Sequence, residues 1–336
     1  MAARFSVHIR GDGIAALTCA HLLTRADIGV SMEALARGRV PALLLSAQAM
    51  HLLGDIFARK DLFTGLHRIH TRRVAWGAQG ETLAIPHAGV VVSEQAFIGR
   101  LPTPQTSAQP GAFTIHAVKP LPDAAQHLRF GTQTAASLAV TLRSSADAGA
   151  CYVEALDDGW LFLIPTSAAE GRLFAVGTDA GTLLGASRLI APAIDTLAAT
   201  GAFETSPAIA QPLCAPAWLA CGSAAMTFDP ICGDGTATAA REAILASAAL
   251  AAVARGEAPE PLLLHYRSLL TGSMRRHLAL CLEFYTSGGT GPWWAEQCAL
   301  LRQGHDWCTA QLALTPEPRY RLHDFDLVSI ETQSPS

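Results

Sequence analysis

Charge is scarce in this sequence. Only 15% of its 336 residues are Asp, Glu, Lys or Arg, and 28 acids stand against 24 bases without blocks of one sign, so the electrostatic footprint that nucleic acid requires is missing. C-x-x-C pairs are missing too. The eight cysteines (Cys19, Cys151, Cys214, Cys221, Cys232, Cys281, Cys298, Cys308) are scattered, and the opening "MAARFSVHIR" has no apolar signal-peptide core, which together read as a reducing cytoplasm. No stretch offers the ~20 apolar residues of a bilayer span. The most apolar run, "AILASAALAAVA" at 243 to 254, is short and mostly alanine and reads as a buried helix. What the chain does have is apolar bulk: half of its residues are hydrophobic, enough for one large domain or two ordinary ones.

Periodicity gives an α/β order over the first hundred residues: strand 5 to 10, helix 14 to 25, strand 29 to 33, helix 46 to 58, strands 68 to 76 and 89 to 93, helix 94 to 101. "LPTPQTSAQPG" at 101 to 111 breaks the pattern as a loop. Strand signals then dominate to 177 ("FTIHAV", "SLAVTL", "ACYVEAL", "WLFLIP", "RLFAVG") and predict a mainly antiparallel sheet lobe. A helix near 190 to 200, a strand at 216 to 221, a long alanine-rich helix at 235 to 255 and further helix to about 312 complete the reading. The final "ETQSPS" reads as disordered.

The first chemical signal lies in "FSVHIRGDGIAALTCAHLL", residues 5 to 23. A strand runs into Gly11, Gly13 and Ala16, and a helix runs out. At such a junction glycines allow a pyrophosphate to approach the backbone, and the first helical turn offers free N–H groups and the positive end of the helix dipole. Ile14 and Ala15 open that helix, and Ala16 meets the need for a small third residue. Glu33, 22 residues after Gly11, ends the next strand, where a carboxylate can accept the hydroxyls of an unphosphorylated adenosine ribose.

A second turn follows two hundred residues later. "WLACGSAAMTFDPICGDGTATAAREAILAS", Trp218 to Ser247, is a strand, a turn at Gly222 and Ser223, an extended Asp229-Pro230, and Gly233, Gly235 and Thr236 opening a long helix. This resembles the second FAD motif of the p-hydroxybenzoate hydroxylase-like flavoproteins, whose members include aromatic hydroxylases, flavin-dependent halogenases and geranylgeranyl reductase-like enzymes. "GWLFLIP", Gly159 to Pro165, is similar to the W-x-W-x-I-P stretch of the halogenase-like and monooxygenase-like branch, with Phe162 at the second tryptophan. On a strand, Trp160, Phe162 and Ile164 share one face; in the family that face walls the space between flavin and substrate, while by residue type alone it is equally a core face.

The resemblance implies a Rossmann-type FAD-binding domain of residues 1–100 and 205–257, an inserted antiparallel sheet lobe at 101–204 and a C-terminal helical cap at 258–330. It implies FAD as cofactor, O₂ and NAD(P)H or a separate flavin reductase as co-reactants, and oxygen transfer from a flavin hydroperoxide to an aromatic or electron-rich substrate, free or peptide-borne. A flavin-dependent dehydrogenase or reductase, and a flavin-poor relative serving as a binding or maturation partner, use the same motifs. Departures from the family pattern are plain. Ser223 replaces the aspartate that holds the ribityl chain, Glu94 stands where relatives carry an arginine, and the glycine turn after the sheet lobe is missing. Asp234 adds negative charge beside the flavin turn.

Halogenation is disfavoured. The chain has only Lys60 and Lys119, and "HRIHTRRVAWG" at 67 to 77 carries Arg72 and Arg73 where the family's lysine is expected; arginine does not give up its proton. Arg72 is instead a candidate anchor for a substrate carboxylate, or an ordinary strand arginine. Among twelve histidines, His67, His70, His87 and His116 show no metal-ligand spacing, and no metal is expected. Cys232 is a small buried thiol or, less simply, a covalent flavin link. "YTSGGTGPWW", 285 to 294, is a lid or a plain helix connection.

Overall fold

The computed structural model describes residues 5–77, 81–104, 106 and 112–330. Strand β1 (Ser6–Arg10), helix α1 (Ile14–Arg25) and strand β2 (Gly29–Glu33) form a parallel βαβ unit. Next come β3 (Leu43–Ser46), α2 (Ala47–Phe57), β4 (His67–Ala75), β5 (Thr82–Val92), α3 (Glu94–Ile98) and β6 (Phe113–His116). The middle of the chain gives β7 (Gln126–Arg129), β8 (Thr134–Leu142), β9 (Ala150–Leu156), β10 (Gly159–Pro165), β11 (Glu170–Gly177), α4 (Ala180–Ala186) and β12 (Ile194–Glu204). Four short strands follow, β13 (Ala208–Gln211), β14 (Cys214–Ala215), β15 (Trp218–Ala220) and β16 (Met226–Thr227). Three long helices, α5 (Gly235–Ala254), α6 (Pro259–Gly288) and α7 (Pro292–Ala313), precede a hairpin of β17 (Tyr320–His323) and β18 (Asp326–Ser329).

Two sheets organise the molecule. One has the order β14-β15-β6-β1-β2, with β15, β6, β1 and β2 parallel; the other has eight strands in the order β12-β8-β11-β10-β9-β4-β5-β3. In the first, Ile115 lies opposite both Ile9 and Leu219, and all three are fully buried. The centre of the sheet is apolar and buried, while polar side chains such as His8 and Arg10 alternate with Val7 and Ile9 along β1 and stay part-exposed. α1 packs on this sheet and α5 packs on α1. Their facing residues are small, among them Ala15, Ala16, Cys19, Ala243 and Ala246, so the two backbones approach closely. By composition α5 is long and apolar enough to cross a membrane, yet 72% of the relevant window is buried inside the protein.

Three expectations change at this level. "FTIHAV" belongs to the parallel sheet as β6, not to the antiparallel lobe, because it pairs with β1. Conversely, β3, β4 and β5 leave the first hundred residues to extend the large sheet, so the boundary expected at 100 and 101 does not divide the two sheets. The helix near 190 to 200 is instead a short 3₁₀ turn (Ala191–Ala193) followed by β12, which takes its hydrogen bonds from β8. Propensity in "IDTLAATGAFE" is weak, and a free strand edge decides it. The 101 to 111 loop lies partly, and "ETQSPS" entirely, outside the described residues.

Candidate functional site

β1 and β15 flank β6, so the turns that leave their carboxyl ends emerge on the same side of the sheet, two strand spacings or ~10 Å apart. Gly11 has φ +126°, and a Cβ there would press on Ala117 and Val118 at 3.2 to 3.3 Å; only glycine fits. Gly13 is extended at the N-cap of α1 and makes no side-chain cap. A Cβ on it would lie 2.6 Å from Arg37 Nη2 and 3.4 Å from Glu94 Oε1. Arg37 donates to Glu94 at 3.0 Å through Nη1, the Val40 N–H donates to Glu94 Oε2 at 3.0 Å, and Arg39 pairs with Asp12. Two guanidinium groups therefore flank the first turn. Glu33 is half-exposed at the end of β2, where its Oε2 accepts from Arg10 Nε at 2.9 Å and lies 3.6 Å from His8.

The second turn touches the first. Gly222 has φ +57°, and a Cβ there would sit 2.7 Å from the Ala15 methyl. Its N–H donates to Glu242 Oε2 at 2.8 Å. Burial pushes the Glu242 carboxyl well above its usual range, which favours its protonated form. Ser223 makes a long contact of 3.5 Å to the Ala117 carbonyl.

Beyond these turns opens a cavity of about 770 Å³, lined by Phe162, Ile164, Phe174, Phe203, Phe228, Asp229, Pro230, Cys232, Gly233, Asp234, Gly235 and Thr236, among others. That volume is within the range of small-molecule sites. Two further wall residues join it to both turns: Glu242, which holds Gly222, and Val40, which holds Glu94. The N-terminus of the 20-residue α5 faces this space with no side-chain cap. Asp234, at its N-cap, turns Oδ2 toward Arg241 at 2.9 Å, which offsets part of its charge.

Asp229 is the polar centre of the cavity wall. Its Oδ1 accepts from the Ile231 N–H at 2.9 Å, and its Oδ2 accepts from the Tyr285 hydroxyl at 2.6 Å. Tyr285 in turn accepts from Trp160 Nε1 at 3.2 Å, and the Asp229 N–H donates to His277 Nε2 at 3.0 Å. Burial raises the Asp229 carboxyl to about 6, against the opposing pull of the Tyr285 hydrogen bond.

Of the residues singled out in the sequence, Gly11, Gly13, Ala15 and Gly222 meet at the two turns, with Ile14 and Ala16 buried in α1 behind them. Phe162, Asp229, Pro230, Gly233, Gly235 and Thr236 line the cavity. Arg72 reaches its edge, with Nη2 3.4 Å from a Cβ placed on Gly233. Trp160 does not line the cavity: it is fully buried behind the wall, its indole N–H bound by Tyr285. The two tryptophans of the 285 to 294 loop also pack inward. Trp294 is buried, donates to the Leu156 carbonyl at 2.9 Å and stacks edge-on with Trp293 and Tyr285. Sequence reasoning missed Arg37, Arg39, Glu242, Tyr285 and His277. The "ARGRV" after Glu33 and the His277-x₃-Cys281 spacing were the only local signals.

Four buried polar atoms beside these turns have no hydrogen-bond partner: Asp12 Oδ1, Arg39 Nη1, Arg72 Nε and Glu242 Oε1. Other unpartnered buried atoms, among them those of Gln133, Thr205 and His265, lie elsewhere in the molecule; these four are set apart by their placement, which fits a polar ligand lying across both turns. FAD, long, anionic at its pyrophosphate and polar at its flavin edge, suits that donor and acceptor set.

No protein-family model and no curated protein sequence matches the chain. Solved structures do. The peptidyl tryptophan dihydroxylase QhpG, essential for tryptophylquinone cofactor biogenesis, aligns over 98% of this chain and 86% of its own with a TM-score of 0.73 and 19% identity. The flavin-dependent halogenase CmlS aligns over 95% and 74% with a TM-score of 0.73 and 15% identity. Aklavinone-11 hydroxylase, solved with FAD and aklavinone, aligns over 86% and 70% with a TM-score of 0.61 and 15% identity. The chain has the fold of the FAD-dependent hydroxylases and halogenases.

Proposed function

We propose that this protein is an FAD-dependent oxidoreductase, a monooxygenase that inserts oxygen into an aromatic group carried by a small molecule or a peptide. The observation that carries the reading is the continuity of the site: one cavity wall bonds to the Gly222 turn through Glu242 and to the arginine pair over Gly13 through Glu94. FAD, when bound and reduced by NAD(P)H or a separate reductase, supplies the activation of O₂. The chain does the rest. Arg37 and Arg39 face the pyrophosphate over Gly11 and Gly13, with charge-assisted donors in place of the arginine that Glu94 displaces. Glu33 takes the ribose hydroxyls. Ser223 offers a neutral hydroxyl to the ribityl chain. The α5 N-terminus at Gly235 and Thr236 presents free N–H groups to an anionic ring edge.

Phe162, Phe174, Phe203 and Phe228 exclude water from the space in front of that helix and suit a planar aromatic substrate. Asp229, with its carboxyl near 6, holds or releases a proton at neutral pH at the cavity wall. Among the described residues no lysine lines the cavity, which favours hydroxylation over halogenation. Arg72 at the rim suits a carboxylate or a peptide backbone of the substrate.

The test is direct. Purified protein given FAD is expected to show the oxidised-flavin bands near about 370 and 450 nm and a raised melting temperature. Reduced and supplied with an aromatic substrate, it is expected to consume O₂ with one oxygen atom appearing in the product. A colourless protein whose melting point ignores FAD sinks the reading. Flavin binding without oxygen incorporation moves it to a dehydrogenase or reductase.

A further inference from the structure

Three groups from two distant segments meet on the cavity wall and have no place in the reading above. Cys232 Sγ lies 3.5 Å from Cys281 Sγ, and Cys281 Sγ lies 3.3 Å from His277 Nε2. Cys232 and His277 line the cavity, whereas Cys281 is buried behind them. The three ligand atoms lie within 4.8 Å of one another, a spacing that a metal ion accepts. Nε2, however, already accepts the Asp229 N–H at 3.0 Å, so its one lone pair is engaged. The arrangement favours thiol chemistry instead. One sulfur faces the open space, and a second stands at its back in van der Waals contact, needing only a small rotation to reach the ~2 Å of a disulfide.

We propose that Cys232 and Cys281 are a redox-active dithiol, in which a hydroperoxide entering the cavity oxidises Cys232 and Cys281 resolves the product to an intramolecular disulfide. The electron balance is closed. The Cys232 thiolate, its proton already lost to solvent, attacks one oxygen of hydrogen peroxide, the O–O bond breaks, and the departing hydroxide takes a proton from solvent and leaves as water, giving Cys232 sulfenic acid. The Cys281 thiol then displaces that hydroxyl as a second water and forms the S–S bond; two thiols lose two electrons to one peroxide. An external dithiol restores the pair. Consistent with this order, hydrogen bonding from Cys281 holds the Cys232 thiol down at about 6, while burial holds Cys281 well above the usual thiol range. The attacking sulfur is the ionised, accessible one. Closing the bond would tie the turn that opens α5 to α6. The step uses only this chain's groups and an added oxidant, so it stands or falls apart from the flavin reading.

The test uses the full chain, reduced, freed of reductant and titrated with hydrogen peroxide. Two of the eight thiols should disappear per peroxide consumed, a 232–281 linked peptide should appear in the digest, and dithiothreitol should restore both. Cys281→Ser should stop at a sulfenic acid on residue 232 that dimedone traps. Cys232→Ser should slow peroxide-driven thiol loss at least ~10-fold. The core pair Cys19 and Cys221, both fully buried, should stay reduced in every case. Eight unreacted thiols, or sulfinic acid on Cys232 of the unmodified chain without the link, would overturn the proposal. So would stoichiometric zinc on the purified protein that shields these thiols until it is chelated.

Discussion

The two ends of the site are built differently. At the first turn, five consecutive residues after one strand, Gly11 to Ala15, set the backbone path, and the side chains add only arginines at the rim. At the cavity, one short turn from Asp229 to Gly233 is held by His277 and Tyr285 of α6, and Trp160 of β10 bonds that tyrosine in turn. The first end is local and its fault line is steric. The second is a network of buried polar groups whose members fail together.

The sharpest break of that contrast is Gly13→Val. Its Cβ would meet the Arg37 guanidinium at 2.6 Å, yet φ is −83°, so the backbone accepts it. FAD affinity is expected to fall at least ~100-fold, with a loss of stability no larger than that of Arg37→Ala, as read by equilibrium dialysis and calorimetry. Retained affinity would mean that the first turn does not carry the cofactor.

The next prediction tests the network. Asp229 has a folded pKa of about 6, above its ordinary 3.8. A raised carboxyl pKa means that the fold prefers the neutral acid, so its stabilising contribution is complete below pH ~4 and is lost as pH rises through about 6. Relative to Asp229→Asn, the parent protein should therefore lose stability between pH 4 and 7, by on the order of 3 kcal/mol at most. Parallel denaturation curves for the two proteins across that range would show instead that the carboxyl titrates like an exposed one.

Arg37→Ala carries a smaller effect at the first end. It leaves the buried Glu94 with the Val40 N–H and a distant Arg39, and should cost about 1–3 kcal/mol of stability together with roughly tenfold in FAD affinity. Adding Glu94→Gln should return most of the stability but not the affinity, a split measurable by combining melts with flavin titration.

The smallest change is expected from Glu242→Gln. Because burial favours the neutral carboxyl, the amide can present the same carbonyl to the Gly222 N–H, and the shift should stay within ~1 kcal/mol. Glu242→Ala, which strands that N–H, should cost more. Equal losses from both would show that Glu242 is ionised in the folded protein.

Glycine turns, the helices that follow them and the acid ending β2 were legible because each is written in adjacent residues: a positive φ, a close backbone approach and a helix start are local demands. The alanine-rich run of α5 was likewise readable as core. The assignment of "FTIHAV" to a sheet was not, since an apolar strand of four residues carries no record of its neighbour; pairing with β1 decided it. Trp160 shows the same limit within a motif. Its alternation with Phe162 was correct, yet strand twist and the packing of α6 and α7 put one ring on the cavity and the other against Tyr285.

By itself, then, the sequence determined where the backbone bends and which helices begin at those bends, because steric and hydrogen-bonding requirements act over a few residues. Only the tertiary structure decided what gathers around the bends: Arg37 over Gly13, Glu242 on Gly222, Tyr285 and His277 on Asp229, Cys281 behind Cys232. Those partners lie 20 to 56 residues apart. They meet because burial forces every polar group to find a mate in space, and the chain order does not say which.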